Sequence, residues 1–411
     1  MPENTIGGRV IVVGAGPAGL AAAERLASHG VAVTIHERMP NPARKFLLAG
    51  RGGLNLTHSE PLDAFLDRYG LARPHLEHAL RAFSPDALRA WCEELGVPTF
   101  VGSSGRIFPK TMKASPVLRA WLRRLGEMGV QLQTRSRWLG WDANGGLRFE
   151  TPDGLSTERP DAAIFALGGA SWPRLGSDGS WQEAFASHGA RIAPLRPANS
   201  GFHVAWSDTF RERFAGEPLK SAVFTFGDES LRGEAMITGD GIEGGAIYAL
   251  SSRLRSAIDA HGEARLLIDL RPDASETALA SRLADDAAKG LSAANRLRRA
   301  GLSPLAASLL RERMGGPGLP PSPAQLAAAI KACEVRLDGA ADIGRAISTA
   351  GGIGWESLAT DYSLRADPAT FACGEMLDWE APTGGYLLQA CFATGRAAAE
   401  GVLKRLAATS P

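Results

Sequence analysis

The hydrophobic pattern is clearest near the start of the chain. Residues 10–13 form a short, uninterrupted and β-branched apolar run, which is typical of a buried parallel strand. Helical spacing follows from Pro17, and a second apolar run ends at Glu37. The pattern therefore predicts a β-α-β unit over residues 9–40.

Three glycines in the spacing G-x-G-x-x-G lie between the first strand and the helix of this unit. Gly14 permits a tight turn, Gly16 leaves room for a pyrophosphate, and Gly19 lets the helix pack closely on the strand. The helix directs unpaired N–H groups at the phosphates, and Glu37 can bind both hydroxyls of an adenosine ribose. The sequence predicts a dinucleotide site, and the alternative is a glycine turn in an unliganded α/β protein. The residues expected to contact the dinucleotide are Gly14, Ala15, Gly16, Ala18, Gly19 and Glu37.

Short elements continue as far as residue 197. Residues 43–58 are glycine-rich and predict a loop beside a ligand, whereas residues 61–95 have helical spacing with Ser84 as a helix cap. A turn and a short extended piece are expected over residues 104–109. Further predictions are a helix over 115–128, a strand over 130–132, a hairpin around Asn144-Gly145, a buried strand from Ala162 that ends at paired glycines, and a helix over 178–188.

The pattern changes after residue 197. Short strand-like runs dominate up to residue 272, and short helices rich in Ala, Leu and Arg follow up to about residue 335. Glycine-rich segments then lead to a helix that opens at Tyr386. We therefore predict three parts: a discontinuous nucleotide-binding domain (residues 1–197 and 340–411), a β-rich insertion (198–272) and a small helical insertion (273–339).

Composition and charge exclude several classes of protein. The 411 residues are 45% hydrophobic and 22% charged, as in a soluble globular protein, and the net charge is +1. That charge gives no bulk attraction to nucleic acid or to an anionic membrane, and no apolar run reaches the roughly 18 residues that span a bilayer. Four distant cysteines without a C-x-x-C pair predict no metal site. We expect a cytoplasmic protein with a small-molecule substrate and no membrane or nucleic-acid partner.

Two further glycine sites indicate a ligand longer than NAD. Gly168-Gly169 ends a buried strand, and Gly374-Glu375 lies far downstream. FAD laid across the sheet needs a glycine turn near its middle and a glycine–acid turn for its ribityl chain. Gly384-Gly385-Tyr386 would direct the positive end of the last helix at the flavin pyrimidine. These sites predict FAD as the tightly bound cofactor.

A second G-x-G-x-x-G occurs at residues 239–244. Its two acidic residues stand where a pyrophosphate would lie, so we interpret this segment as a loop in the β-rich insertion. The sequence therefore gives no evidence for a dedicated NAD(P)H domain, and NAD(P)H, if it reduces the flavin as a transient electron donor, is expected to bind in an irregular cleft.

Five segments together closely resemble the BaiN-like flavoproteins, also labelled the aminoacetone oxidase family of FAD-binding enzymes. Many members have a Gly-Arg-Cys-Asn-Val-Thr-type sequence where this chain has residues 52–57, and Leu54 occupies the cysteine position. The matching segments are the N-terminal fingerprint and residues 44–57, 105–109, 166–169 and 349–385.

This resemblance implies an α/β fold. It implies a Rossmann-like FAD-binding domain of the two-dinucleotide-binding flavoprotein superfamily, with an inserted β-barrel-like unit and a small helical unit. It also implies that FAD is bound non-covalently, and it leaves the substrate undefined.

Other residues are candidates for cofactor contact by their position. Arg38 and Lys45 could neutralise phosphate or flank adenine, and the alternative for both is a solvated surface charge. Gly53, Asn55 and Thr57 are expected to approach the flavin. The middle and the isoalloxazine end of the cofactor are assigned to Gly168, Gly169, Gly374, Glu375, Gly384, Gly385 and Tyr386.

Substrate-facing groups are harder to assign from the sequence. Arg51 and Arg106 lie in glycine-flanked segments, where a guanidinium could hold a carboxylate; the alternative is a buried ion pair. His58 could shuttle a proton, or it could be a capping or surface histidine. Tyr248 could cover the flavin or pack in a core. No pattern identifies a catalytic acid or base.

The leading hypothesis is an FAD-dependent oxidoreductase that acts on a small organic molecule, either as an oxidase or with NAD(P)H. A second hypothesis is a flavin-binding regulatory or RNA-associated protein without fast turnover. A third is an NAD-only dehydrogenase, which would not need the two downstream glycine sites.

Overall fold

The structure, a computed structural model, describes residues 7–315, 318–320 and 322–409. The strands of the described residues are, in chain order, β1 (Arg9–Val13), β2 (Ala32–Glu37), β3 (Thr57–His58), β4 (Thr99–Val101), β5 (Arg106–Pro109), β6 (Gln131–Thr134), β7 (Arg137–Trp141), β8 (Leu147–Thr151), β9 (Gly154–Glu158), β10 (Ala162–Phe165), β11 (Ile192–Ala198), β12 (Phe202–His203), β13 (Pro218–Phe226), β14 (Glu229–Ile237), β15 (Gly241–Glu243), β16 (Ala264–Asp269), β17 (Cys333–Leu337), β18 (Gly339–Ala340), β19 (Ser348–Ile353) and β20 (Thr370–Ala372).

The α-helices alternate with these strands in the first part of the chain and cluster after β16. They are α1 (Pro17–Ala27), α2 (Arg44–Ala49), α3 (Leu62–Asp67), α4 (Arg73–Ala82), α5 (Pro85–Glu94), α6 (Ala114–Glu127), α7 (Gln182–Ser187), α8 (Asp208–Phe214), α9 (Gly245–His261), α10 (Glu276–Ala288), α11 (Ala293–Arg299), α12 (Pro304–Arg313), α13 (Pro323–Lys331) and α14 (Tyr386–Thr409). No helix in the described ranges is both long enough and apolar enough to cross a membrane.

The chain divides into two compact units, one running to Arg196 and resuming at Ser348, the other covering residues 197–347. A five-stranded sheet in the order β20-β10-β1-β2-β6 forms the centre of the first unit, and its neighbouring strands are parallel. The apolar side chains of β1 are almost fully buried, as a parallel strand covered on both faces requires. The predicted β-α-β unit and the buried strand from Ala162 are confirmed.

Two small antiparallel sheets also belong to the first unit, in the orders β7-β8-β9 and β3-β5-β4. The hairpin predicted around Asn144-Gly145 joins β7 to β8, and the extended piece predicted after Gly105 is β5. Ser84 caps α5 as predicted, because its hydroxyl accepts a hydrogen bond from the N–H of Ala87.

The interpretation of residues 43–58 as a loop is wrong at both ends. Residues 44–49 form α2, and Thr57 and His58 form β3, which pairs with β5. The first glycine of this segment is Gly50. The preceding Arg-Lys-Phe-Leu-Leu-Ala run consists largely of good helix formers, and Phe46 buries its ring in the core.

The second unit contains a seven-stranded sheet in the order β17-β16-β13-β14-β15-β12-β18. Its two edge strands are joined by the single residue Asp338, so the sheet curls until its edges meet, which gives a barrel-like form. Strands and helices of this unit share one core, which includes Phe224, Leu266, Leu283 and Leu309. The division of the chain into a discontinuous nucleotide-binding domain, a β-rich insertion and a small helical insertion stays a prediction.

The interpretation of residues 239–244 as a loop is also wrong. Gly241–Glu243 form β15 inside the seven-stranded sheet, and Gly244 immediately precedes α9, a 17-residue helix absent from our predictions. A Cβ built on Gly241 would lie 1.9 Å from the carbonyl oxygen of Phe202. This glycine therefore serves close strand pairing rather than a nucleotide.

Helix α14 begins at Tyr386 as predicted and packs directly on α1. A Cβ built on Gly395 would lie 2.2 Å from the carbonyl oxygen of Ala18, so the two helices meet backbone to backbone. Gly126 in α6 is also helical but exposed, and a Cβ built on it meets nothing within 4 Å.

We expect opposite effects from the same substitution at these two helical glycines. Gly395→Ala should lower the stability of the folded chain by about 1–3 kcal/mol, because the added methyl group overlaps a fixed backbone. Gly126→Ala should raise it by roughly 0.5–1 kcal/mol, because alanine is the better helix former. Thermal unfolding midpoints of both variants test this; equal shifts would contradict the close contact between α1 and α14.

Candidate functional site

A cleft in the first unit lies at the carboxyl ends of four parallel strands. Gly14 follows β1, Glu37 ends β2, Gly168 follows β10 and Gly374 follows β20, and all four line the cleft. In open parallel sheets this edge is where ligands bind. Of the predicted cofactor-contacting residues, those that line the cleft are Gly14, Gly16, Ala18, Glu37, Arg38, Lys45, Gly168, Gly374 and Glu375.

The three glycines of the fingerprint have different surroundings. Gly14 has φ +103°, and a Cβ on it would lie 2.4 Å from the carbonyl oxygen of Ala166. A Cβ on Gly19 would lie 1.9 Å from the carbonyl oxygen of Gly14. A Cβ on Gly16 would meet nothing within 4 Å and would project from a wall of the cleft. Folding therefore requires glycine at positions 14 and 19. At position 16, glycine is required only if a ligand occupies the space that a side chain would fill.

The Glu37 carboxylate is held in place by the backbone. Its Oε2 accepts a hydrogen bond from the N–H of Ala15 at 2.9 Å, and its Oε1 accepts one from the N–H of Met39 at 2.8 Å. Burial raises the pKa of Glu37, and the hydrogen bonds from Met39 and Ala15 oppose that rise. Each oxygen keeps a further lone pair, so the group can still accept two ribose hydroxyls.

Lys45 joins three segments that are distant in the sequence. Its Nζ donates to Ser171 Oγ at 2.5 Å and to Glu375 Oε2 at 2.7 Å. Glu375 Oε1 accepts from the N–H of Thr349 at 3.0 Å, and Thr349 Oγ1 accepts from the N–H of Ala170 at 2.9 Å. The lysine is thus not the solvated surface charge of the alternative interpretation, since it is fixed beside the cleft with a compensating carboxylate.

Gly169 explains how closely these segments pack. A Cβ on Gly169 would lie 2.3 Å from Thr349 Oγ1, so only glycine lets the turn after β10 approach β19. Gly169 does not line the cleft, whereas its neighbour Gly168 does.

Arg38 also lies at the cleft wall in an ion pair. Its Nη1 donates to Asp178 Oδ2 at 2.7 Å, and both side chains are partly exposed. Burial raises the pKa of Asp178, but the hydrogen bonds from Arg38 and Ser180 outweigh it and leave the pKa below its ordinary value.

Gly384, Gly385 and Tyr386 pack on the segment that contains Asn55 and Thr57. A Cβ on Gly385 (φ +96°) would lie 2.5 Å from Thr57 Cα. Tyr386 donates its hydroxyl hydrogen to Glu60 Oε1 at 2.6 Å, and burial together with this hydrogen bond holds the pKa of Tyr386 well above its usual range.

Several buried polar atoms in this region fit a ligand. Asn55 Oδ1 and Thr57 Oγ1 are buried and have no hydrogen-bond partner among the described residues. The same holds for Ser177 Oγ and Trp138 Nε1, which line the cleft. Buried polar atoms are normally paired, so the unpaired Ser177 and Trp138 atoms in the cleft wall indicate groups that a ligand would supply. Together with the open space at Gly16, they fit an extended dinucleotide such as FAD. Asn55 and Thr57 do not line this cleft.

Ser177 and Trp138 are absent from our sequence predictions. Ser177 follows a glycine turn and Trp138 lies in β7, and neither position belongs to a motif. Only the folding of both segments against the carboxyl edge of the sheet brings them to the cleft, so no local signal could have identified them.

Arg51 and Arg106 are both exposed, and neither guanidinium forms an ion pair or hydrogen bond with any described residue. The alternative of a buried ion pair is therefore wrong for both. His58 has both ring nitrogens occupied: Nδ1 accepts from the N–H of Glu60 at 3.1 Å, and Nε2 lies 3.0 Å from the carbonyl oxygen of Ser104. This geometry fits the capping histidine better than a proton shuttle.

Tyr248 lies on α9, in the second unit, where it is half-buried. Burial, followed by the charge of Glu243, raises the pKa of its hydroxyl. Its place over a flavin stays a prediction, as do the cofactor contacts assigned to the other residues.

Two curated proteins have similar sequences. The 3-dehydro-bile acid delta(4,6)-reductase of Clostridium scindens is 28% identical over 418 residues, covering 95% of this chain and 99% of that protein. The ribosomal RNA dihydrouridine synthase of Haemophilus influenzae is 24% identical over 246 residues, covering 59% of this chain and 60% of that protein.

Solved structures resemble the fold with little sequence identity. The 3-ketosteroid delta1-dehydrogenase of Sterolibacterium denitrificans, in complex with 1,4-androstadiene-3,17-dione, has a TM-score of 0.55 at 13% identity and covers 98% of this chain and all of that one. A flavocytochrome c3 fumarate reductase has a TM-score of 0.52 at 14% identity and covers 98% of this chain and 79% of that one.

A family model matches almost the whole chain. It is described as the HI0933-like protein Rossmann domain, and it matches residues 8–401. The family resemblance predicted from the sequence is confirmed: this chain belongs to the HI0933-like family.

Proposed function

We propose that this protein is an FAD-dependent oxidoreductase that reduces a carbon–carbon double bond conjugated to a carbonyl in a small organic molecule. The observation that carries the FAD part is the cleft wall at Gly16, which is open where a side chain would fit the protein but block a pyrophosphate. The family and the structural neighbours support a flavoenzyme.

Two groups of described residues would contact opposite ends of the cofactor. At the adenosine end, Gly16 and the N-terminus of α1 would hold the pyrophosphate, and Glu37 would accept the ribose hydroxyls. At the other end, Asn55 and Thr57 would supply their unpaired oxygens. Lys45 lines the same cleft as Gly16 and Glu37 and would keep a positive charge beside the cofactor.

The two curated relatives support the reaction class. Delta(4,6)-reduction of a 3-dehydro bile acid saturates double bonds conjugated to a ketone, and dihydrouridine formation saturates a double bond next to a uracil carbonyl. FAD, if bound and first reduced by a donor such as NAD(P)H, would supply the hydride for the β-carbon of such a bond, while the α-carbon would gain a proton. NAD(P)H, as a transient donor, would replace the electrons.

A second candidate is reduction of uracil in RNA. The similarity to the ribosomal RNA dihydrouridine synthase favours it, over a smaller share of the chain than the bile acid reductase covers. The net charge of +1 argues against it, because RNA binding usually depends on a strongly basic surface. A flavin-binding role without fast turnover remains the alternative to both.

Two fingerprint glycines separate cofactor binding from folding. We expect Gly16→Ala to leave the thermal unfolding midpoint of the apoprotein unchanged while weakening FAD binding by about 100-fold, or nearly 3 kcal/mol, because the methyl group enters the pyrophosphate space. Gly19→Ala should prevent folding, because its Cβ would overlap the backbone of Gly14.

FAD titration of the apoprotein followed by flavin fluorescence, with calorimetric melts of both variants, measures these effects. The matched control is Gly52→Ala, since a Cβ at Gly52 also meets nothing within 4 Å but lies outside the cleft lining. Unchanged FAD affinity in Gly16→Ala would overturn the proposed pyrophosphate site.

The reaction itself can be tested on the purified holoprotein. We expect a yellow flavin spectrum, a released cofactor with the mass of FAD, anaerobic bleaching by NADH or NADPH, and rapid reoxidation by a conjugated enone. The panel would contain a 3-oxo-Δ4 steroid, 2-cyclohexenone and unmodified ribosomal RNA, with product masses two hydrogens above the substrate.

Each outcome of this panel has a distinct meaning. Absence of flavin after incubation with FAD would overturn the cofactor assignment. Reoxidation by oxygen alone would indicate an oxidase, and hydrogenated uridine in the RNA would favour the second candidate.

A further inference from the structure

The sheet β3-β5-β4 presents aromatic side chains on one face. Phe100 on β4 is paired directly with Phe108 on β5, and their ring centroids lie 5.8 Å apart at 29°. Phe100 is 38% exposed and Phe108 is half-buried. Because side chains alternate along a strand, Arg106 lies on the same face of β5 as Phe108.

Two glycines leave the ring of Phe108 accessible. A Cβ on Gly53 would lie 3.8 Å from Phe108 Cε1, and a Cβ on Gly102 would lie 3.3 Å from Phe108 Cε2. The same Cβ position on Gly53 is 2.7 Å from Met112 Cε. Any side chain at residue 53 or 102 would therefore cover or displace the apolar groups that surround the ring.

Met112 has a left-handed backbone, with φ +59°. Such a conformation costs energy in a residue other than glycine, and strained residues cluster at functional sites. The carbonyl oxygen of Met112 accepts a hydrogen bond from the N–H of Leu54 at 2.9 Å. This hydrogen bond ties Met112 to the segment that carries Gly53 and Asn55.

Arg106 adds an uncompensated charge to this apolar face. Its guanidinium is exposed and has no ion-pair partner in the part of the chain that the structure describes, whereas Arg68 and Arg81 of the same unit pair with carboxylates. A planar guanidinium binds a carboxylate bidentately. An apolar face with one free guanidinium at its side is complementary to an apolar molecule that carries one acidic group.

This face adjoins the expected flavin end of the site. A Cβ on Gly53 would lie 3.8 Å from Phe108 Cε1, so the ring of Phe108 lies beside the segment that carries Asn55. His58 pairs with Arg106 and stacks on the ring of Tyr386 at 5.6 Å. Because paired residues share a face, His58 lies on the same face as Arg106 and links it to Tyr386 at the expected flavin end.

We propose that Phe100, Phe108, Met112 and Arg106, together the Phe108 patch, bind the substrate, and that the substrate is a flat apolar ring system bearing a carboxylate. The rings would lie on Phe100 and Phe108, and the carboxylate on Arg106. This proposal rests on the proposed function, because it places a conjugated-carbonyl substrate at the flavin end of the site.

The test compares a steroid acid with its uncharged ester on the FAD-loaded protein. The probes are 3-oxo-4-cholenoic acid and its methyl ester, and the measurement is the dissociation constant from flavin difference spectra. The wild type should bind the acid about 2- to 5-fold more tightly, the gain expected from an ion pair with an exposed guanidinium. Arg106→Gln should remove that difference and leave ester binding unchanged, while Phe108→Ala should weaken both probes by about 10-fold or more.

Matched controls lie in the sheet β7-β8-β9. Arg148→Gln changes another exposed strand arginine, and Leu155→Ala another exposed apolar residue, so both should bind the probes as the wild type does. If Phe108→Ala fails to fold, Phe100→Ser and the exposed Arg106→Gln still decide the matter.

Two results would overturn the proposal while the proposed function stands. One is a holoprotein that NAD(P)H reduces but in which acid and ester bind equally, or not at all. The other is loss of self-association in Phe108→Ala, by analytical ultracentrifugation, with probe binding unchanged, since the patch would then join two copies of the chain. A protein without FAD would instead contradict the proposed function itself.

Discussion

Helix α1 lies too close to its neighbours for any side chain to fit at the points of contact. Gly19 of α1 lies against the carbonyl of Gly14, and Gly395 of α14 lies against the carbonyl of Ala18. These backbone contacts fix the first turn of α1 relative to the end of β1. Because the cleft is made of that turn and the neighbouring strand ends, its shape depends on glycines whose missing side chains make room for protein backbone.

The charged side chains around the cleft are also held in place by contacts within the protein. Lys45 and Glu375 are 330 positions apart in the chain, and their ion pair joins α2 to the turn after β20. Arg38 is paired with Asp178 on another wall. A cofactor with two phosphates would thus meet cations whose positions are already set by carboxylates, which lowers the cost of ordering them on binding.

How far the sequence predicts this structure depends on whether a signal is local. The strand–glycine–helix pattern around Gly14 identifies the β-α-β unit because strand, turn and helix are adjacent in the chain. The same spacing at residues 239–244 belongs to β15, in a different sheet, and to the start of α9, and the glycine spacing does not reveal either element. Glycine has several uses, and spacing alone does not distinguish them.

The candidate site shows the same limit. Glu37 and the glycines of the fingerprint could be selected from the sequence because their roles follow from a known turn geometry. Ser177 and Trp138 could not, since tertiary folding alone brings them to the cleft. Whether the Arg106 guanidinium has an ion-pair partner likewise depends on which carboxylates the fold places nearby. None of the described carboxylates pairs with it.

The position of α14 has a consequence for how the protein is made. The residues that complete the cleft on one side, Gly374 and Glu375, and the helix that packs on α1 are synthesised after the whole of the second unit. During translation, α1 and β1 therefore leave the ribosome long before their packing partners and expose apolar surface in the meantime. The cleft is complete only once Gly374 and Glu375 have been made, so a ligand that needs the whole cleft would bind late and stabilise the finished fold rather than nucleate it.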